Sequence, residues 1–501
     1  MRPAQSLPFP LEDSRCRLYA LGRTALWHGV RSLGLAEGDE ALVPAYHHGS
    51  EIEALVRAGV RCRFYEARDD LQPNHGELES LLGERTRALM LVHYLGFPQD
   101  APRWRRWCDE RGLALIEDVA MAWPAERDGV PLGSWGDVAF YSPWKTYGLP
   151  EDCGALVART PLGEAPPPRG VDSLRLARSS AKWMAQRWGF LARLRPRGNG
   201  EGGFSASREF ELGDPDAAAS AGALFLLRRL VRIDAAAARR RNHARLLELI
   251  GDRAPPPFDR PVEGSCPFAF PVATEDKLGL IHHLAKRGVR ALDMWAVPHP
   301  DLPADRFPGA ARRRETTVGL PLHQELRAAD VERIAEAVRE YERAPRHGPV
   351  DVGDVAPDFE LADQRGARTR LSEHAGRPVV LYFYPEAHTP GCTAQACGIR
   401  DRQAQLDHGE AVVLGVSPDP VEKLESFARS YGLEFTLLSD PGGGTARRYG
   451  VWIRGEGLLP RHENERTTFL IGRDGVVRRV LRNVDPALHD RLVAAELERA
   501  S

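Results

Sequence analysis

Two short stretches of this sequence carry side chains that could do chemistry. The first is Pro385-Glu386-Ala387-His388-Thr389-Pro390-Gly391-Cys392-Thr393. An apolar run that reads as a strand ends at Pro385, and a helix opens after Thr389, which puts Cys392 in that helix's first turn. There a sulfur meets unpaired backbone N–H groups and the positive end of the helix dipole, both of which favour thiolate over thiol. Position alone leaves two readings open, a reactive nucleophile or a buried structural cysteine. Cys397 makes the one close pair among seven cysteines, at 16, 62, 108, 153, 266, 392 and 397. Thiols so few and so scattered do not make a structural disulfide framework in a chain of this size.

The second stretch pairs Asp118, just beyond an apolar strand at 113–116, with Lys145 in Tyr141-Ser142-Pro143-Trp144-Lys145-Thr146-Tyr147-Gly148. An acid just past a parallel strand lies in the crevice where open α/β sheets bind ligands. Such a carboxylate can keep a pyridine nitrogen protonated, and a lysine of lowered pKa can form a Schiff base with an aldehyde cofactor. Taken alone, an acid at a strand end and a lysine in a Gly/Pro-rich loop are also ordinary surface residues.

The elements that must position these residues alternate between helix and strand. Helical periodicity over 24–33 precedes a strand at 41–44, a helix at 51–58 precedes a strand at 61–65, and helices at 78–82 and 101–111 precede strands at 88–93 and 113–116. The last two strands are continuous apolar runs, as expected where helices cover both sheet faces. Residues 161–170 and 195–203 read as loops, 217–250 as a long helix or helix pair, and 327–341 as a closing helix. Residues 342–351, with two prolines and no apolar period, read as a linker that spans at most about 33 Å extended. Beyond it come a strand at 378–384, a helix at 392–406, a strand at 411–417, a helix at 421–431, strands at 435–438, 467–471 and 476–481, and a last helix at 486–500. The expectation is two α/β domains, 1–341 with a largely parallel sheet and 352–501 with the helix–strand alternation renewed.

Length and composition agree with that division, since 501 residues with 43% hydrophobic exceed what one core serves. Lys plus Arg at 68 against Asp plus Glu at 70 gives a formal charge of -2, so no global field draws in nucleic acid or an anionic membrane. The N-terminus lacks a signal-like apolar stretch, and no window approaches the roughly 20 apolar residues needed to cross a bilayer, so the chain reads as soluble and cytoplasmic.

The stretch around Cys392, together with Gly353-Asp354-Val355-Ala356-Pro357-Asp358-Phe359, resembles the peroxiredoxin superfamily, specifically the bacterioferritin comigratory protein or Q-type group, over the whole second domain. The resemblance implies a thioredoxin-like fold with Cys392 as the peroxidatic cysteine, Thr389 contacting it, Pro385 shielding it and Arg466 as a positive partner. It also implies Cys397 as the resolving thiol, a hydroperoxide as substrate and a thioredoxin-like protein as reductant. Cys397 as a core thiol on the helix's inner face is the alternative.

The first domain, through Gly38-Asp39-Glu40-Ala41-Leu42-Val43-Pro44-Ala45-Tyr46, Val92-His93-Tyr94-Leu95-Gly96, Glu117-Asp118-Val119-Ala120 and Lys145, resembles the DegT/DnrJ/EryC1/StrS family. These are aminotransferases of fold-type I that depend on pyridoxal 5'-phosphate (PLP), usually homodimers. The resemblance implies Lys145 as the Schiff-base lysine, Asp118 on the pyridinium nitrogen, and Thr24 and Ala25 in the phosphate-binding turn. Ser142 would also reach the phosphate, His48 would stack on the ring, and His93 would lie nearby. Arg23 and Met121 depart from the family's pattern, which leaves the amine/keto substrate open. Three functions compete: a peroxiredoxin fused to an aminotransferase, a peroxiredoxin on a catalytically idle PLP-fold dimerisation scaffold, and a peroxiredoxin fused to a PLP-dependent lyase or dehydratase. Retention of both Lys145 and Asp118 argues for a working site.

Overall fold

A computed structural model describes residues 7–147, 153–164, 210–231, 235–275, 277–343, 350–402, 411–454, 462–482, 486, 489–490 and 492–494. The described residues form two compact units, one up to Arg339 and one from Glu340 onward. The loop expected at 195–203, most of the one at 161–170, the helix end at 403–406, much of the linker and much of the last helix lie outside the described residues.

The first unit opens with β1 (Arg17–Tyr19), α1 (Gly22–Ser32), β2 (Glu40–Pro44), α2 (Ser50–Arg57), β3 (Arg61–Tyr65), α3 (His75–Leu81), β4 (Thr86–Val92), α4 (Ala101–Asp109) and β5 (Ala114–Asp118). A small hairpin, β6 (Glu126–Arg127) and β7 (Val130–Pro131), leads to β8 (Val138–Tyr141), α5 (Pro143–Tyr147) and β9 (Gly154–Ala158). Seven strands make one sheet in the order β1-β9-β8-β5-β4-β2-β3. The run β8-β5-β4-β2-β3 is parallel, and β9 and β1 are antiparallel additions at one edge. Apolar side chains of β4 and β5 bury on both faces, which is why these strands read as unbroken apolar runs.

A smaller lobe follows, with α6 (Ala221–Leu230), α7 (Ala235–Ile250), β10 (Ala269–Ala273), α8 (Lys277–Lys286), β11 (Leu292–Asp293), α9 (Pro308–Thr316), β12 (Thr317–Pro321) and α10 (Ala328–Arg343). The stretch 217–250 thus holds a helix pair, and the lobe's three strands form an antiparallel sheet ordered β10-β12-β11.

The second unit comprises β13 (Glu360–Asp363), β14 (Arg368–Arg370), β15 (Val379–Phe383), α11 (Pro390–Asp401), β16 (Val412–Ser417), α12 (Val421–Tyr431), β17 (Thr436–Ser439), α13 (Gly444–Arg448), the hairpin β18 (Trp452–Arg454) and β19 (His462–Asn464), β20 (Thr467–Ile471) and β21 (Val477–Leu481). Its seven-stranded mixed sheet runs β14-β13-β17-β16-β15-β20-β21. Central strand β15 alternates in the manner of a strand buried on both sides. Val380 and Tyr382 join the core under α11 and α12, and Val379, Leu381 and Phe383 join the opposite core. Among the described residues no helix is long and apolar enough to cross a membrane.

Candidate active sites

In the first unit, strand pairing brings the acid and the lysine together. Asp118 ends β5 opposite Phe140 of β8, and the chain leaves β8 through Ser142 into α5, which carries Lys145. A cavity of about 40 Å³ opens there, lined among others by Arg23, His48, Asp118, Ser142, Lys145 and Trp295.

Asp118 is buried, and its carboxylate accepts the Ala120 N–H at 2.8 Å. Loss of hydration, reinforced by the charge of Glu51, pushes its pKa up to about 7, while the Ala120 hydrogen bond and the Lys145 charge pull the other way. Burial also pushes Glu51 upward, but His47, His48 and backbone N–H donors outweigh it and hold that carboxylate below its usual range.

Glu117, next to Asp118 on the opposite face of β5, is fully buried and accepts from His93 at 3.0 Å and from the N–H groups of Gly133, Trp135 and Gly136. His93 Nδ1 accepts the Gln99 N–H at 3.0 Å, so the proton of the neutral ring sits on Nε2 and is donated to Glu117. His93 thereby lines the cavity in one fixed tautomer.

Ser142 is 4% exposed. It lies against the first residue of α1, so close that a Cβ on Gly22 would come within 2.3 Å of Oγ. Only glycine leaves that space. The structure places Thr24 and Ala25 behind this edge. The Thr24 hydroxyl donates to Leu21 O at 2.8 Å, the Ala25 N–H donates to the same carbonyl at 3.0 Å, and Gly22 and Arg23 are the α1 residues that line the cavity. His48 also lines it, with the Phe210 ring edge-on at 6.2 Å.

Sequence reasoning missed Glu117, Glu51 and Trp295. Adjacency to Asp118 is the one local signal for Glu117. Trp295 arrives from the smaller lobe, where nothing in its own neighbourhood marks it.

In the second unit Thr389 is the N-cap of α11 and Cys392 the third helical residue, 2% exposed. The Thr389 hydroxyl donates to Glu386 O at 2.9 Å. Pro385 follows β15 and opens a loop that Asp419 and Lys423 pin in place. Asp419 accepts the Ala387 N–H at 2.6 Å, and Lys423 Nζ bridges Glu386 at 2.7 Å and Asp419 at 2.8 Å. Arg466 donates to Gln395 Oε1 at 3.1 Å, and its guanidinium stands over Gly391, whose missing Cβ would lie 2.9 Å from Nη2. Thr389, Cys392 and Arg466 thus converge at the N-terminus of α11. Cys397 sits half-buried on the same helix. Burial pushes the thiols of Cys16 and Cys108 up to about 12 and that of Cys266 up to about 11, which keeps them protonated at neutral pH.

Residues 352–480 match the AhpC/TSA family. Peroxiredoxin Bcp of Escherichia coli (strain K12) is 40% identical over 146 residues, which cover 29% of this chain and 94% of that protein. The chain belongs to the peroxiredoxin family through its C-terminal unit. A putative peroxiredoxin bcp of Haemophilus influenzae is 44% identical over 133 residues, 26% of this chain and 86% of that protein. Residues 19–161 match the DegT/DnrJ/EryC1/StrS aminotransferase family, which is PLP-dependent. The solved structure of S. venezuelae DesV is 24% identical, covers 66% of this chain and 85% of its own, and superposes with a TM-score of 0.50, which shows the fold. This peroxiredoxin therefore carries an aminotransferase-family domain ahead of its thioredoxin-like one.

Proposed function

We propose that the C-terminal unit reduces hydroperoxides through Cys392 and that the N-terminal unit uses PLP for amino-group exchange with a small amine/keto substrate. The observation that carries the first half is the place of Cys392, in the first turn of a helix capped by Thr389 and with the Arg466 guanidinium over the neighbouring Gly391. The Cys392 thiolate attacks the terminal oxygen of the hydroperoxide, the O–O bond breaks, and the leaving alkoxide or hydroxide takes a proton. N–H groups of α11 and the Arg466 guanidinium stabilise the charge that develops on the departing oxygen. Pro385 and the pinned loop keep bulk water from the sulfur. Cys397 then attacks the sulfenic acid, water leaves, and a disulfide forms, which a thioredoxin-like dithiol reduces to two thiols. Cys392→Ser abolishes peroxide consumption on this reading. A variant that still consumed peroxide at the wild-type rate would refute it.

For the N-terminal unit, Asp118 and Ser142 support a fit of the residues present to the cofactor. A buried carboxylate pushed up to about 7 is stabilised as an anion by a protonated ring nitrogen, and the buried Ser142 hydroxyl lies against the start of α1, where a helix N-terminus favours a phosphate. PLP, when bound, supplies the electron sink for chemistry at the carbon next to the amine. Asp118 would hold a proton at the ring nitrogen, Ser142, Gly22 and Arg23 would hold the phosphate, and His48 would cover the ring. Lys145 Nζ would hold the aldehyde carbon and carry protons at the reacting carbon. Thr24 and Ala25 would contribute by fixing the start of α1. By analogy with the family the protein is also expected to be a homodimer, which sedimentation near twice 55.5 kDa would support. The decisive experiment is absorption spectroscopy of the purified protein with PLP. The visible band of lysine-bound pyridoxal should form with the wild type and not with Lys145→Ala, and a protein that takes up no PLP would end this reading.

A further inference from the structure

Trp295 combines three features that the residues around it do not account for. Its backbone lies at φ +47, a left-handed conformation that is costly for a bulky side chain. Its indole Nε1 is buried and has no hydrogen-bond partner among the described residues. Its ring lines the same cavity as Asp118 and Lys145, 4.7 Å from the Tyr46 ring and 5.9 Å from that of Tyr94 between centroids. An indole nitrogen can only donate, so the partner it lacks is an acceptor.

The strained turn is held from behind. Lys277, buried on α8, pairs with Asp293 and donates to the carbonyls of Met294 at 3.3 Å and of Arg314. Arg314 in turn donates to the carbonyls of Ala45 and His47 at 2.9 and 3.0 Å and lies 5.4 Å from the Tyr46 ring centre. The residues just before Trp295 and the ring it packs on are thus fixed by the same two buried cations. Backbone strain persists only where the surroundings over-determine it, and here they hold a side chain at a cavity wall with its one donor unanswered.

We propose that Trp295 reads the substrate of the N-terminal site, donating its indole N–H to an acceptor oxygen near the reacting amine or keto carbon while its ring forms an apolar wall with Tyr94. The oxygen is that of a carboxylate or of a hydroxyl, and the inference rests on the PLP reading of this cavity. Trp295 is then a specificity residue that touches substrate rather than cofactor.

The probes are stable reduced adducts of phosphopyridoxal with three amines: L-glutamate (carboxylate beside the reacting carbon), ethanolamine (hydroxyl) and propylamine (no oxygen). Their affinities for cofactor-free protein are measured by titration. Wild-type protein should hold at least one oxygen-bearing adduct about tenfold tighter than the propylamine adduct, the size of one buried hydrogen bond. Which adduct gains identifies the oxygen. Trp295→Phe keeps a ring and loses the donor, so it should erase that preference and leave propylamine-adduct affinity within about threefold. Trp295→Ala should weaken all three. Equal affinity of the three adducts for the wild type, or a preference that survives in Trp295→Phe, would overturn the proposal while leaving PLP binding intact. Failure of PLP and every adduct to bind the wild type would instead bring down the cofactor reading and this proposal with it.

Discussion

Asp118 shows how a site residue works against the fold that holds it. Its usual pKa is 3.8, and in the folded protein burial pushes it up to about 7. Between these values the native state keeps a proton that the unfolded chain has released. Stability therefore falls as pH rises through that window, then stays level once the folded carboxyl has ionised too. Asp118→Asn removes the ionisation and keeps an oxygen able to accept the Ala120 N–H. The cofactor-free variant should be more stable than wild type at pH 8, by up to about 4 kcal/mol, with the two converging near pH 4. Melting curves across pH 4 to about 8 check this, and a variant less stable at pH 8 would show that the carboxylate is not buried at a cost. PLP retention should be lost in the same variant, because the charge that is unfavourable in the empty fold is the one the pyridinium needs. The His93–Glu117 pair next door costs less, since its tautomer is fixed and every acceptor position of Glu117 is answered.

At the scale of an element, the proposed cycle needs α11 to be a helix for one step and something else for the next. As a helix it presents its first turn to Cys392, with Pro390 at the start, where a missing N–H costs nothing. The same helix holds Cys397 away from Cys392. Five residues of ideal helix separate their Cα atoms by about 7.5 Å along the axis and about 140° around it, so by about 8.7 Å directly. That exceeds the roughly 7 Å beyond which two cysteines cannot join without backbone movement. Oxidation to the disulfide should therefore unwind α11 between them, seen as a loss of helical circular dichroism that reduction restores. Mass spectrometry after one equivalent of peroxide should find the Cys392–Cys397 bridge, and Cys397→Ser should accumulate sulfenic or sulfinic acid on Cys392. Normal turnover of Cys397→Ser with a thioredoxin-like reductant would leave the enzyme with one working cysteine. The start of α11 was legible from Thr389-Pro390, a cap followed by the residue that best tolerates N1. The strands β4 and β5 were legible because burial on both faces leaves an unbroken apolar run. Strand β8, of four residues, is too short to show a period, though it is what delivers Ser142 and Lys145. Contacts made across the sequence, such as Lys277 behind Trp295 or Arg466 over Gly391, leave no local trace for a reader to find.

For the whole molecule, the question is whether one chain with two sites is one machine or two. Each unit closes its own cores: Val43, Met90 and Ile116 sit in a cluster of the first, Tyr382, Cys392 and Phe427 in one of the second. A domain with its own core keeps its fold when a distant side chain changes, and effects of substitutions with no shared partners add rather than couple. The proposed partners differ as well, a cofactor ring for Asp118 and Lys145 and a peroxide oxygen for Cys392. Lys145→Ala and Asp118→Asn should therefore remove PLP binding while leaving peroxide turnover within about twofold of wild type. Cys392→Ser should do the reverse, abolishing peroxide turnover and leaving the visible band of the PLP-loaded protein in place. Both activities are measured on the full chain, in the same preparation, with and without added PLP. Peroxide turnover that fell in step with PLP loss would show that the aminotransferase-like unit controls the peroxidase, and the two sites would then have to be treated as a coupled pair.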